Sequence, residues 1–119
     1  MGRISHSDFF RGGFFSMVYF VYILYSEGFD KYYIGQTNSL EQRLERHNEF
    51  DSTNSYTSKY RPWILKAFLE TGESRADAMK IERRLKGLKS KRLIADFANN
   101  PEKLMEFAQK VLLPDIASH

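Results

Sequence analysis

The 119-residue chain is the size of one domain with one core, and its formal charge of +3 and pI near 9.2 lean toward an anionic partner. It has no cysteine, which excludes disulfide staples, thiol nucleophiles and thiolate metal sites and fits a reducing, cytoplasmic setting. Hydrophobic residues reach 42% with only three Pro, which argues against disorder, and the 15% aromatic share exceeds what so small a core needs.

Residues 1–16 are expected to form a leader that the fold can dispense with, Met17 being an alternative start. The apolar run behind Arg3 and Arg11 has bulky aromatics and no small-residue cleavage site, so it does not fit a secretory signal. Met17 to Tyr25 is nine residues, far short of the ~20 needed to cross a bilayer. Val18 to Tyr25, "VYFVYILY", is apolar on both faces and predicts a doubly buried strand. "SEGFD" supplies a turn, and Tyr32 to Thr37 predicts a second strand paired with the first as an antiparallel hairpin.

Asn38 or Ser39 caps a first helix, with Ser39 and Gln42 at capping-box spacing, and that helix is expected to run to about Phe50. "DSTNSYTSKY" reads as a polar loop. Arg61 to Glu70 predicts a third strand with Pro62 at its start. Thr71 to Glu73 turn the chain, and Ser74 caps a helix to about Leu88, with Gly87 near its C-terminal end. "SKRLIADFANN" predicts a short helix, and Asn100-Pro101 open another that ends near Leu113. The order ββαβα plus C-terminal helices implies a small α/β (α+β) domain with a mainly antiparallel three-stranded sheet.

Several residues sit oddly for a bland core. With Leu40 at zero on the first helix, Leu44 falls at about 40°, His47 at about −20° and Arg43 at about −60°. His47 therefore lies within the apolar stripe and Arg43 on its flank. An ionisable group there needs a partner or a wet cleft. One reading is a satisfied core histidine beside a snorkelling arginine; the other is a site. On the second long helix, Ala78, Ile81, Leu85 and Leu88 form the stripe, and Glu82 lies about 80° from its centre. Glu82 either pairs with Lys86 at i,i+4 or offers a lone carboxylate to one Mg²⁺.

From Arg83 to Arg92, "RRLKGLKSKR", six of ten residues are basic: Arg83, Arg84, Lys86, Lys89, Lys91 and Arg92. This is either a solvated helix end or an edge that contacts nucleic-acid phosphates. The loop "YTSKYRPW" could add stacking and cation–π contacts. HExxH, GxSxG, P-loop and GxGxxG motifs are all missing, and His6, His47 and His119 are too scattered for a zinc site.

"FVY" at Phe20–Tyr22, then "YIG" at Tyr33–Gly35 with ten residues between, then "LEQRLERH", resembles the GIY-YIG nuclease superfamily. The nearest likeness is to small stand-alone members similar to the N-terminal nuclease module of the excinuclease C subunit, a DNA-repair setting. The resemblance covers residues 17–95, leaving 96–119 as a helical extension. The YIG block is literal, whereas Phe20-Val21-Tyr22 stands where the family has Gly-Ile-Tyr. The likeness implies that Tyr22 and Tyr33 are the paired tyrosines and that Gly35 permits close approach. It also implies that Arg43 stabilises phosphate, that His47 joins the catalytic set, and that Glu82 alone holds Mg²⁺ (or Mn²⁺). Gln36 stands where some relatives have Lys, and Asn99 and Asn100 lie too far along to match an Asn that larger members use.

The activity implied is single-metal endonuclease hydrolysis of DNA, with Tyr22 or His47 as base and Arg83, Lys86, Lys89, Lys91 and Arg92 on the backbone. A membrane is not expected; a protein partner or a homodimer would supply targeting. Two alternatives stand beside it: a nucleic-acid-binding module of the same fold with little or no cleavage, and an interaction domain without nucleic acid.

Overall fold

Three antiparallel strands, Tyr19–Ser26 (β1), Lys31–Thr37 (β2) and Ile64–Gly72 (β3), form one sheet in the order β2-β1-β3. The computed structural model describes residues 17–49 and 55–114. The expected leader, His6, Phe50 and His119 lie outside the described residues. β1 is the central strand, which explains why its sequence does not alternate: Val21 to Leu24 are all buried. The turn into β2 places Asp30 at φ 54°, a left-handed position that Asp tolerates better than most residues.

Among the described residues five helices accompany the strands: Leu40–Asn48 (α1), Ser55–Lys59 (α2), Arg75–Gly87 (α3), Lys91–Asn99 (α4) and Pro101–Leu112 (α5). Helices α3, α4 and α5 cover one face of the sheet. There Ala78, Ile81, Leu85, Ile94, Ala98, Leu104, Ala108 and Val111 close over Val21, Ile23, Ile34 and Ala67. Burying a Val, Leu or Ile side chain contributes about 1.5–3 kcal/mol, so this face supplies most of the stability. The C-terminal helices thus share the core with the sheet. The opposite face holds a smaller cluster, Tyr22, Leu24 and Trp63, under Leu40 and Leu44 of α1 and the rings of Tyr33 and Tyr60.

Ser39 is the cap of α1, its Oγ accepting from the Gln42 N–H. The Ser39 N–H donates to Thr37 Oγ1 at 3.1 Å, so Thr37 takes the return role that capping-box spacing gave to Gln42. Ser74 and Ser90 cap α3 and α4 in the same way. At α5 the Asn100 side chain donates back to Asp96 and leaves Pro101 to open the helix.

Three expectations need correction. α1 ends at Asn48, with the Glu49 N–H on the Arg46 carbonyl. Within the expected loop, Ser55–Lys59 forms the short helix α2. β3 starts at Ile64 rather than Arg61, because both backbone groups of Trp63 are taken by the Asn48 side chain; it runs on to Gly72, the residue at φ 93° that turns the chain. Gly87 is the last residue of α3, near the C-terminal end as expected, and the left-handed residue that follows is Lys89, at φ 51°. A non-glycine residue there costs roughly 1–2 kcal/mol.

Candidate active site

β1 and β2 set Tyr22 and Gly35 directly opposite each other. A Cβ added to Gly35 would stand 2.3 Å from Tyr22 Oη and 2.5 Å from its Cζ. The glycine is therefore needed because the Tyr22 ring lies across it; the close approach foreseen at this position is made by a side chain of the same chain. Its φ is not left-handed, so sterics alone exclude a larger residue.

The Tyr22 hydroxyl meets α1. His47 Nε2 is 3.0 Å from it, and the Arg43 guanidinium lies close enough to act on the same hydroxyl. His47 is buried, at 3% exposure, while Arg43 is an exposed residue whose tip reaches inward. One helical turn between positions 43 and 47 puts both side chains on the same side of α1, toward Tyr22. Tyr33 completes the group, its ring centroid 4.7 Å from that of His47 and 6.4 Å from that of Tyr22.

Burial pushes the Tyr22 phenol well above its ordinary range, Tyr33 and the Glu82 charge adding to the rise while Arg43 opposes it. Burial also drives His47 down to about 4, helped by the positive charges of Arg43 and Arg46. The imidazole is neutral at pH 7. Its Nδ1 is buried without a hydrogen-bond partner. An orphaned lone pair is tolerated better than an orphaned N–H, so the favoured tautomer carries its proton on Nε2. His47 then donates to Tyr22, and the Arg43 charge acts on the same phenolic oxygen.

Glu82 on α3 acts on Tyr22 through its charge, its side chain 21% exposed and 3.1 Å from Lys86 Nζ. The i,i+4 pair read from spacing is thus present. Lys86 Nζ also lies 5.9 Å over the Tyr33 ring.

The model of the GIY-YIG catalytic domain matches residues 18–95, from β1 through α3 into the start of α4. The chain belongs to the GIY-YIG family. Searches of curated proteins and of solved structures return no match. In this GIY-YIG chain the departing residue of the first block, Phe20, packs edge-on against Phe68 at 6.1 Å, and Phe68 is 52% exposed. The aromatic side chain that replaces glycine therefore sits beside the site on its outer flank.

Among the described residues no three His, Cys, Asp or Glu side chains gather as metal ligands. Glu82 is a half-buried hard oxygen donor beside Tyr22, which fits a cation that takes one protein bond and fills its shell with water and phosphate oxygens. Of the basic run, Lys86, Lys89 and Lys91 line a cleft of about 310 Å³ beside β2, whereas Arg83 and Arg92 are exposed and are not among its lining residues. Lys91 is held by Asp30, which also accepts from the Tyr25 hydroxyl; both hold the carboxyl below its ordinary range. Asn99 and Asn100 make local bonds to Ala95 and Asp96, remote from Tyr22. No helix among the described residues is long and apolar enough to cross a membrane.

Sequence reasoning missed Asn48. Its amide donates to the Trp63 carbonyl at 3.0 Å and accepts the Trp63 N–H at 2.6 Å, while the indole N–H donates to the Thr57 carbonyl. This clasp ties the end of α1, next to His47, to α2 and β3. No local pattern signals a pairing between residues so far apart in the chain.

Proposed function

We propose that this chain is a metal-dependent endonuclease that hydrolyses phosphodiester bonds in DNA. The observation that supports it is the convergence of His47 Nε2 and Arg43 on the Tyr22 oxygen, with the Glu82 carboxylate close enough to act on the same group. In this account Tyr22 is the base. The phenol first gives its proton to bulk water, and the phenolate, held by the His47 N–H, then takes a proton from the attacking water. His47 does not itself meet the water, because it lies buried behind Tyr22. Arg43 neutralises charge that builds on the phosphoryl oxygens.

Tyr22 is only 2% exposed, so its oxygen becomes reachable when a phosphate draws the Arg43 guanidinium away. Glu82 would hold the divalent cation, Mg²⁺ or Mn²⁺, which when bound supplies charge neutralisation at the phosphate. The single site per chain suits nicking of one strand, with a homodimer or a protein partner for targeting. The likeness to the excinuclease C nuclease module and a cytoplasmic setting belong to the same proposal.

A second function, nucleic-acid binding without cleavage, is favoured by one observation: Tyr22 is closed in, and its phenol is held above the ordinary range. Incubation of labelled single-stranded, duplex and branched DNA with Mg²⁺ or Mn²⁺ separates the two. Cleavage by the natural chain that drops 100-fold or more in Arg43→Ala and Glu82→Ala, about what loss of one preorganised charge contact removes, supports the nuclease. Salt-sensitive binding with no cleavage supports the binding module. Cleavage that survives both substitutions would contradict the proposed site.

A further inference from the structure

Rings continue outward from the site in an unbroken row. His47 packs on Tyr33 at 4.7 Å, Tyr33 on Tyr56 at 6.5 Å, Tyr56 on Tyr60 at 5.1 Å, and Tyr60 on Phe29 at 5.1 Å. His47 is buried and Tyr33 and Tyr60 are partly buried, but Tyr56 is 48% and Phe29 50% exposed. A row that served only to pack would not leave its outer rings half open to water.

Cations accompany the rings. Lys31 Nζ lies 5.0 Å and Lys59 Nζ 5.7 Å from the Tyr60 centroid, and Lys86 Nζ lies 5.9 Å from that of Tyr33. Among the described residues Lys31, Lys59 and Lys89 have no carboxylate within ion-pair distance. Beside the row runs the cleft of about 310 Å³, walled by Tyr56, Lys31, Lys86 and Lys89. Lys89 stands at φ 51°, where glycine would be cheaper, so a lysine here is kept against the backbone's preference.

Exposed π faces alternating with ammonium groups match one kind of ligand. A single-stranded nucleic acid offers unpaired bases that stack on rings and phosphates that follow lysines. A duplex hides its base faces and could use only the charges. We propose that this row and its cleft carry an unpaired strand away from the cleavage site, with a base on Tyr56 and phosphates on Lys31, Lys86 and Lys89. The proposal rests on the nuclease function for its direction but makes a separate claim about binding.

Fluorescence anisotropy tests it, with a fluorescein-labelled oligothymidylate and a labelled duplex of equal length, in EDTA at low salt and then across a salt series. Tyr56→Ala should weaken the single strand about tenfold or more, with the duplex changed less than twofold; Tyr56→Phe should keep the affinity. Lys89→Gly should weaken the single strand and reduce the salt slope by about 0.7, while its melting temperature holds or rises. Those opposite movements separate a binding role from a merely structural one. Equal losses on both ligands in Tyr56→Ala, affinity within twofold of the natural chain, or no binding of the oligothymidylate by the natural chain would each overturn the path. Cleavage that depends on Arg43 with no Tyr56 effect would retain the nuclease and reject the path; the expected Tyr56 losses without any cleavage would do the reverse.

Discussion

On one face of the sheet, twelve buried apolar side chains close over one another beneath α3, α4 and α5. On the other, the fully buried apolar groups among the described residues are Tyr22, Leu24 and Trp63, and the four buried polar residues described, Ser26, Thr37, His47 and Thr57, belong to this side. Three of them are anchored: Ser26 donates to the Tyr60 carbonyl, Thr37 receives the Ser39 N–H, and Thr57 gives its carbonyl to Trp63. Of these four, His47 alone keeps an unpartnered buried side-chain nitrogen. A small domain can place ionisable groups out of water on one face when the other carries the hydrophobic load. The first face makes the second affordable.

That division predicts which measurement each face moves. Leu85→Ala, in the middle of the apolar face, should cost 2–5 kcal/mol in chemical denaturation. Any cleavage per folded molecule should stay near that of the natural chain. A large loss of activity in the molecules that remain folded would break the separation of the faces.

Gly35→Ala should act on both readouts. The added Cβ meets the Tyr22 ring, so the ring must swing from beneath Arg43 and His47, at about 1–3 kcal/mol of stability. A double substitution with Tyr22→Leu should recover much of that stability and none of the activity. If Gly35→Ala costs nothing by itself, the ring does not lie where it is placed here.

The smallest effect is on pH. In the folded chain His47 titrates at about 4, and in the unfolded chain near 6.5. The unfolded state therefore binds the extra proton first as pH falls. Stability is full above about 6.5, declines as pH falls between there and about 4, and levels off below. His47→Gln should remove that part of the decline. A slope unchanged in the variant would mean that His47 is paired or solvated in the folded chain.

The apolar face was legible in the sequence because burial there depends on periodicity alone: the stripe of Ala78, Ile81 and Leu85 and the doubly apolar β1 give the antiparallel sheet and its helices. The spacing of Tyr22, Tyr33, Gly35, Arg43, His47 and Glu82 was legible as a family pattern. What each of them touches was not. Gly35 shields no open space but lies beneath Tyr22, and Arg43, on the flank of its stripe, reaches in by its length. The Asn48–Trp63 clasp and the start of β3 depend on one long-range pair of hydrogen bonds, which no local window contains. The left-handed Lys89 escaped for a related reason: the glycine nearby was the cheaper choice, and the chain does not use it.

The most direct test of the central claim is the rate of DNA cleavage by Tyr22→Phe beside the natural chain, with Mg²⁺ and a matched melting curve. The substitution keeps the ring over Gly35 and removes only the oxygen on which His47 and Arg43 converge. The account predicts a loss of about 10²- to 10⁴-fold in a variant that still melts cooperatively. Cleavage within threefold of the natural chain would contradict it.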